Sequence, residues 1–275
     1  MCWLIWAIVA ALFLLTAASY VLYWYENGNQ ADSTRTSLFQ VLSAGLDSVL
    51  GVAFLAAVYP LGRLKRIKRA SVPDRNGPVI VCVHGLFHNP SAWIIFRIRL
   101  RRAGFGNCYC PAYKSFTNDI SGALQELEEQ LAAIRGKHPE QELILVGHSL
   151  GGLLAFFSVP NNRSRLIITM GTPFKGSKLA VFGISRLAKS LRPQSRELQA
   201  FLSKAENTAH PPGLALYTTT DNMVLPGKSL LAAPEGWRLV QTRRAMSHVG
   251  MLWSGEVAGR AIEEIQKTVE KNGTG

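Results

Sequence analysis

A serine lies between glycines in the middle of the chain, in the run Gly147-His148-Ser149-Leu150-Gly151. An apolar stretch, Glu142–Val146, precedes this G-x-S-x-G pattern, and small and apolar residues follow it. This order predicts a strand, a sharp turn and a helix, with the serine hydroxyl held above a sheet edge on a strained backbone. An ordinary glycine-rich turn between a strand and a helix has the same letters, so the interpretation depends on partners for Ser149.

Two candidate partners follow the serine in the chain. A serine hydroxyl becomes a nucleophile when a base removes its proton and a carboxylate orients that base. Asp221 follows the apolar run Leu214–Thr219, and His248 follows the run Trp237–Gln241. Because open parallel sheets place their sites at the carboxyl ends of the strands, the three side chains are expected to converge. Taken singly, Asp221 also fits a turn-forming aspartate and His248 a solvated loop histidine.

Two backbone amides are expected to hold the oxyanion that this serine would create. One is the N–H of Leu150, at the start of the following helix. The other is the N–H of Leu86, in the loop after the strand Val79–Val83. Gly85 lets that loop approach closely, and His84 is expected to support it by hydrogen bonding rather than to act as the base.

Strands and helices alternate around these residues. The predicted strands are Val79–Val83, Cys108–Pro111, Glu142–Val146, Arg165–Met170, Leu214–Thr219 and Trp237–Gln241. The predicted helices run from Asn89 to about Ala103, from Asp119 to Arg135, from Leu150 to Ser158 and from Glu256 to Lys271. This alternation predicts an α/β fold with a parallel sheet of about six strands between residues 78 and 242.

Taken together, the motifs resemble the α/β-hydrolase superfamily and, within it, the bacterial lipases and esterases. The matching pieces are His84-Gly85-Leu86, Gly147 to Gly152, Gly171-Thr172-Pro173-Phe174-Lys175-Gly176-Ser177, Asp221 with Val224 and Pro226, and Ser247-His248-Val249-Gly250. The resemblance covers about residues 78 to 270. It implies an α/β-hydrolase fold of about six mostly parallel strands and the hydrolysis of carboxylic esters, with acyl lipids as substrates, through an acyl-enzyme on Ser149.

Three alternatives remain open at this point. The same triad would also serve acyl transfer or thioester cleavage, which differ from ester hydrolysis in the acceptor or in the bond that is cleaved. A membrane scaffold that keeps the fold without the activity is the third alternative. No member of the triad is missing from the sequence, which favours an enzyme.

No metal site and no cofactor are expected. Some secreted lipases of the superfamily hold calcium through an aspartate near the catalytic histidine, but the residues just before His248, Arg243–Ser247, offer no acidic ligand. The four cysteines, Cys2, Cys82, Cys108 and Cys110, do not have a metal-ligand spacing.

Residues 1–70 are predicted to anchor the chain in a membrane, with residues 71–275 forming the catalytic domain. The segment Cys2–Tyr25 is almost wholly apolar and long enough to cross a bilayer as a helix. A second apolar segment, Leu38–Leu61, is interrupted by Asp47. Two spans in a hairpin are favoured over a signal peptide followed by an amphipathic stretch, because no basic residues open the first segment.

The charge pattern predicts the orientation of that hairpin. The net charge is +12, and five basic residues lie between Arg63 and Arg69. Basic residues close to a span stay on the cytoplasmic side, so the catalytic domain is expected on the cytoplasmic face of a bacterial inner membrane. If only the first segment spans, the domain would lie outside. Lipid is the expected partner of the positive charge, since no nucleic-acid-binding motif is present.

The segment 174–213 is predicted to be a lid, because it is long for a connection in this fold. It mixes apolar residues with lysines and arginines, a composition that suits an anionic membrane surface. An ordinary helix packed on its own domain fits the same pattern.

Overall fold

The structure is a computed structural model, and it describes residues 2–28, 36–64, 77–159 and 164–273. Two long helices, α1 (Cys2–Gly28) and α2 (Leu38–Val58), come first, and a short 3₁₀ helix (Tyr59–Arg63) follows α2. Most of the basic residues between Arg63 and Arg69 lie outside the described residues.

Six strands form one sheet in the order β2-β1-β3-β4-β5-β6, and every neighbouring pair is parallel. The strands are β1 (Val79–Val83), β2 (Cys108–Tyr109), β3 (Leu143–His148), β4 (Ser164–Met170), β5 (Gly213–Tyr217) and β6 (Arg238–Gln241). The predicted fold class, a mostly parallel sheet of about six strands flanked by helices, is therefore confirmed. The strand ends differ from the predicted ones by one or two residues.

Helices cover both faces of the sheet. They are α3 (Ile94–Arg102), α4 (Ile120–Lys137), α5 (Leu150–Phe157), α6 (Arg186–Ser190), α7 (Arg196–Glu206) and α8 (Gly255–Gly273). The helix predicted from Asn89 begins instead as a 3₁₀ helix, Pro90–Trp93, with the Asn89 side chain accepting the Ser91 amide at 2.9 Å.

The strands are buried on both faces, which explains their continuous apolar sequence. In β1, Val79, Val81 and Val83 face a core that contains residues of α4, α5 and α7, while Ile80 and Cys82 face a core that contains residues of α3 and α8. This packing makes the protein a three-layer α/β/α structure. It also leaves the carboxyl ends of the strands free to carry functional loops.

Helix α2 has two different faces. Val41, Ala44, Ser48, Gly51 and Leu55 are buried, at a spacing of three or four residues that marks one side of a helix. The opposite side exposes Phe39 (80%), Leu42 (63%), Leu46 (62%) and Leu50 (62%). Within the described residues, Leu38–Arg63 is long and apolar enough to cross a membrane, with 28% of its most apolar window buried. Core helices and signal sequences share these properties.

The predicted lid segment is largely packed on the domain. Leu198, Leu202 and Ala205 of α7 are buried in the same core as α5. Exposed apolar side chains lie in and after the 3₁₀ helix Lys178–Phe182, at Phe182 (71%) and Ile184 (89%). Whether residues 174–213 move as a lid stays a prediction.

We expect Phe156→Ala to lower the free energy of unfolding by about 3–5 kcal/mol. Phe156 of α5 is 1% exposed and contacts Phe174 and Trp237 at ring-centroid distances of 6.5 and 5.5 Å. Urea denaturation measures the loss. Phe182→Ala, at a side chain that is 71% exposed, is the control and should change stability little. Equal losses for the two variants would contradict the described core.

Candidate active site

Ser149 lies at the turn between β3 and α5 with φ 56° and ψ −126°. This is a positive φ that residues other than glycine rarely adopt, so the backbone there is strained. The neighbouring strand holds it, because the Ser149 amide donates to the Met170 carbonyl at 2.9 Å. Gly147 is required in this turn, since a Cβ there would overlap the backbone of Gly152. Ser149 is partly exposed although the residues on both sides of it are buried.

Asp221 and His248 form a buried hydrogen bond. Nδ1 of His248 lies 2.7 Å from Oδ2 of Asp221, and the two side chains are 6% and 1% exposed. The other carboxylate oxygen of Asp221 accepts the amides of Met223 and Val224, each at 2.9 Å. The carboxylate is therefore held by its own loop and can orient the imidazole.

The turn of Ser149 and the Asp221–His248 pair meet near Gly171. This residue directly follows Met170, whose carbonyl accepts the Ser149 amide. A Cβ on Gly171 would lie 3.1 Å from both Asp221 Oδ2 and His248 Nδ1. In addition, the His148 ring lies 4.7 Å from the His248 ring. The three residues predicted from the sequence are thus brought to one edge of the sheet.

The predicted oxyanion loop passes close to the serine. A Cβ on Gly85 would lie 3.1 Å from the Ser149 Cβ. The His88 amide donates to the Gly85 carbonyl at 3.3 Å, and Phe87 has φ 59°. The Leu86 amide takes no part in the hydrogen bond that closes this turn. Leu150 is the first residue of α5, where an amide has no partner within its own helix.

The imidazole of His84 supports this loop. His84 Nδ1 lies 2.9 Å from the Gly85 carbonyl, its ring stacks on Tyr113 at 4.2 Å, and the Tyr113 hydroxyl donates to the His84 carbonyl at 2.6 Å. Burial lowers the pKa of His84 to about 3. Burial, and then the nearby charge of His248, also lower the pKa of His148 well below its usual value. Both imidazoles are therefore neutral near pH 7.

Two polar residues near the site were not predicted from the sequence. Asn222, 2% exposed, accepts the His248 amide at 3.3 Å through Oδ1. Asp47 of α2 accepts both the amide and the hydroxyl of Ser247, at 2.8 and 2.7 Å. Nothing in the local sequence pattern marks Asn222. The only signal for Asp47 was its presence in an otherwise apolar segment.

Three buried cysteines form a cluster that the sequence spacing did not predict. The sulfur atoms of Cys82, Cys108 and Cys110 lie within 4.8 Å of one another. Three thiols are a ligand set for a soft metal ion. The hydrogen bonds of Cys108 with Cys110 and Cys82 are the largest causes that lower the pKa of the Cys108 thiol. The buried guanidinium of Arg97 lowers this pKa further. A bound cation would share the pocket with that fixed positive charge, which disfavours a metal site.

Comparison with known proteins agrees with this architecture. Residues 80–267, more than half of the chain, match the alpha/beta hydrolase family. The chain therefore belongs to this family. Comparison with curated protein sequences finds no significant match.

Solved structures similar to this chain include several lipases. The mature lipase BlEst2 of Bacillus licheniformis has a TM-score of 0.60 at 19% identity, covering 71% of this chain and 95% of its own. Lipase B of Aspergillus fumigatus has a TM-score of 0.61 at 13% identity, covering 72% and 55%. The monoacylglycerol lipase of Paleococcus ferrophilus has a TM-score of 0.50 at 16% identity, covering 70% and 96%. At these identities the similarity establishes the fold.

The buried histidines predict that acid destabilises the protein. In the unfolded chain, His84, His88 and His148 would bind protons near pH 6.5. Burial in the folded protein lowers the pKa of all three, to about 3 for His84 and about 4 for His88. The free energy of unfolding should therefore fall as pH drops below 6.5, by about 1.4 kcal/mol per pH unit for each histidine that stays neutral in the folded protein. Urea denaturation at pH 7, 6 and 5 measures this slope.

The control is His84→Gln, which removes one of these three protons. It should reduce the slope by about 1.4 kcal/mol per pH unit, whatever its effect on stability at pH 7. A slope unchanged by this substitution would show that His84 is protonated in the folded protein or does not differ from its unfolded form.

Proposed function

We propose that the protein is a membrane-associated serine hydrolase that cleaves carboxylic esters, with acyl lipids as its substrates. The observation that carries this proposal is the buried 2.7 Å hydrogen bond between Asp221 and His248, beside the strained turn of Ser149. A buried carboxylate that orients an imidazole near a partly exposed serine is the arrangement that activates a serine nucleophile.

In the proposed reaction, Ser149 Oγ attacks the acyl carbon while its proton passes to His248 Nε2. The Leu86 and Leu150 amides hold the oxyanion, and His248 then gives the proton to the departing alcohol. Water next attacks the acyl-enzyme, loses a proton to His248 and releases the carboxylic acid. That proton returns to Ser149, so the cycle consumes one ester and one water. Neither a metal ion nor a cofactor takes part.

Two observations support an acyl-lipid substrate. Lipases are among the structurally similar proteins. In addition, Phe182 and Ile184, which precede α6, are 71% and 89% exposed, and Arg186 and Lys189 follow close by. Apolar side chains next to basic ones suit an anionic lipid surface.

Membrane association is proposed through α1 and α2. Large apolar side chains on both helices are exposed: Phe13, Leu14, Leu15, Val21, Trp24, Leu38, Phe39, Leu42, Leu46 and Leu50. An apolar surface of this extent is unusual on a protein surrounded by water. The proposed location of the hydrolase domain is the cytoplasmic face of the inner membrane of a bacterium, on the side of the basic residues after α2.

We expect Ser149→Ala to abolish hydrolysis of p-nitrophenyl butyrate and labelling by a fluorophosphonate, because no other group would receive the acyl chain. Asp221→Asn should lower kcat by roughly 10³–10⁴-fold, since the amide holds the wrong imidazole tautomer. Mass spectrometry locates the labelled residue. Hydrolysis at the wild-type rate by Ser149→Ala would reject this serine as nucleophile, and absence of labelling in the wild type would favour a non-catalytic scaffold.

Product analysis with a phospholipid or acylglycerol substrate separates hydrolysis from acyl transfer. Free fatty acid as the main product in the presence of added alcohol supports hydrolysis. A dominant alkyl ester would show that the same residues serve an acyltransferase.

We expect the combined variant Phe39→Gln/Leu42→Gln/Leu46→Gln to bind anionic lipid vesicles less tightly than the wild type. The three side chains are at least 62% exposed. Their substitution therefore removes apolar surface that would enter lipid, and it leaves the packed face of α2 unchanged. Vesicle co-sedimentation measures binding, and hydrolysis of a soluble ester should persist. Ile98→Gln, at a residue 42% exposed on α3, is the control. Equal binding of the triple variant and the wild type would contradict the proposed surface.

A further inference from the structure

Asp47 is a charged residue in a largely apolar helix, and it accepts hydrogen bonds from three donors of another segment. Its Oδ2 accepts the amide and the hydroxyl of Ser247, at 2.8 and 2.7 Å. Its Oδ1 accepts the indole N–H of Trp253 at 3.2 Å. Ser247 directly precedes His248, and Trp253 directly follows the short 3₁₀ helix Val249–Leu252. The carboxylate therefore holds both ends of the loop that carries the imidazole.

The two segments also fit each other sterically. A Cβ on Gly250 would overlap the Asp47 carboxylate, and a Cβ on Gly51 would overlap the Trp253 indole. The loop thus has a glycine, Gly250, where Asp47 packs against it, and α2 has a glycine, Gly51, where Trp253 packs against it. Leu55, one turn further along α2, is 4% exposed and belongs to the same core as Leu252. This reciprocal fit indicates a built contact and not a surface encounter.

Ser247 passes the contact on to the loop itself. Its hydroxyl donates to Asp47 and accepts the Gly250 amide at 3.0 Å. The His148 imidazole contacts the same loop, with Nε2 lying 3.0 Å from the His248 carbonyl. The loop is thereby held from α2 on one side and from the serine turn on the other.

A second polar contact joins the N-terminal helices to the same pair. Asn222 donates through Nδ2 to Ser19 of α1 at 2.8 Å and to Ser48 of α2 at 3.4 Å, and its Oδ1 accepts the His248 amide. On α1, the hydroxyls of Tyr20 and Tyr23 donate to the carbonyls of Thr220 and Thr219, at 3.2 and 2.7 Å. Both the aspartate loop and the histidine loop are thus braced by the helices predicted to be an anchor.

We infer that Asp47 is a positioning residue for His248, and that α2 is a structural part of the active site as well as a membrane-facing element. This inference rests on the proposed function, in which His248 is the base. Asp47 acts through Ser247 and Trp253, which set where the loop stands and so whether the imidazole keeps its 2.7 Å bond to Asp221. A displacement of about 1 Å at a reacting group can lower the rate of a chemical step by about 100-fold.

A carboxylate suits this position because all three of its partners are donors. It offers acceptors only, whereas an asparagine would turn its amide group towards one of the donors. Asp47 also lines a cavity of about 520 Å³ together with Arg243, Arg244 and Glu256. The Arg243 and Arg244 amides donate to the Glu256 carboxylate, at 2.7 and 3.2 Å.

The test compares Asp47→Ala and Asp47→Asn with Leu55→Ala in the full-length protein. The aspartate variants should lower kcat for p-nitrophenyl butyrate by about 10–100-fold and slow fluorophosphonate labelling in parallel, with KM changed less than about twofold. Leu55→Ala loosens the packing of the same helix but removes none of its hydrogen bonds to the loop, and it should keep a kcat close to that of the wild type. All assays are made at a temperature where urea denaturation shows every variant folded.

Rescue distinguishes positioning from a general loss of packing. In Asp47→Asn, an amide donor faces the Trp253 indole donor, so adding Trp253→Phe to that variant should restore part of kcat. The low-field proton resonance of the His248 Nδ1–H···Asp221 bond provides a readout that does not depend on turnover. It should be present in the wild type, broadened or lost in Asp47→Ala, and retained in Leu55→Ala.

Each contrary outcome has a defined meaning. A wild-type kcat and resonance in Asp47→Ala, or an equal loss of kcat in Leu55→Ala, would overturn the positioning role while leaving the hydrolase proposal intact. A wild-type protein that neither hydrolyses the ester nor labels at Ser149 would overturn the proposed function, and the role of Asp47 with it.

Discussion

The buried hydrogen bond between Asp221 and His248 constrains the rest of the structure. A carboxylate with 1% exposure loses its water, and the loss is tolerated only where protein donors replace that water. Two amides of its own loop and the imidazole supply those donors. The two residues come from loops after β5 and β6, neighbouring strands of the parallel sheet. The sheet thus brings the loops together, but side chains outside it must hold them at hydrogen-bonding distance.

Those side chains come largely from the N-terminal helices. In a helix that only crossed a bilayer, Asp47 would be unfavourable, because inserting a charged side chain into the hydrocarbon costs about 2.5–3.5 kcal/mol on insertion scales. Here the charge faces Ser247 and Trp253, and the exposed apolar residues lie on the opposite side of the helix. The two faces of α2 therefore have different environments. This arrangement accounts for the interruption of an apolar segment by one aspartate.

The strained backbone of Ser149 is likewise held by residues that are distant in the chain. A positive φ at a serine costs of order 1–3 kcal/mol and persists only where the surroundings determine it. The Met170 carbonyl of β4 accepts the Ser149 amide, and the Thr172 hydroxyl donates to the Ser149 carbonyl at 3.1 Å. The backbone on both sides of the serine is thus fixed by the segment that also passes beside His248.

The sequence by itself determined the fold class, most strands and the residues that the sheet carries at its edge. The spacing of apolar residues and continuous apolar runs are local properties, so they predict Val79–Val83 as a buried strand. Ser149, Asp221 and His248 are recognisable because each one follows a predicted strand, in a fixed order along the chain. Only the tertiary structure decided the partners of Asp47, which lie 200 and 206 residues away in the chain. The same holds for the contacts of Asn222 and for the clustering of Cys82, Cys108 and Cys110. These contacts have no period and no spacing, because they arise where separate elements pack. A sequence pattern covers one segment at a time and therefore predicts secondary structure and burial. The role of a residue such as Asp47 depends on contacts with distant segments, which form only when the chain folds.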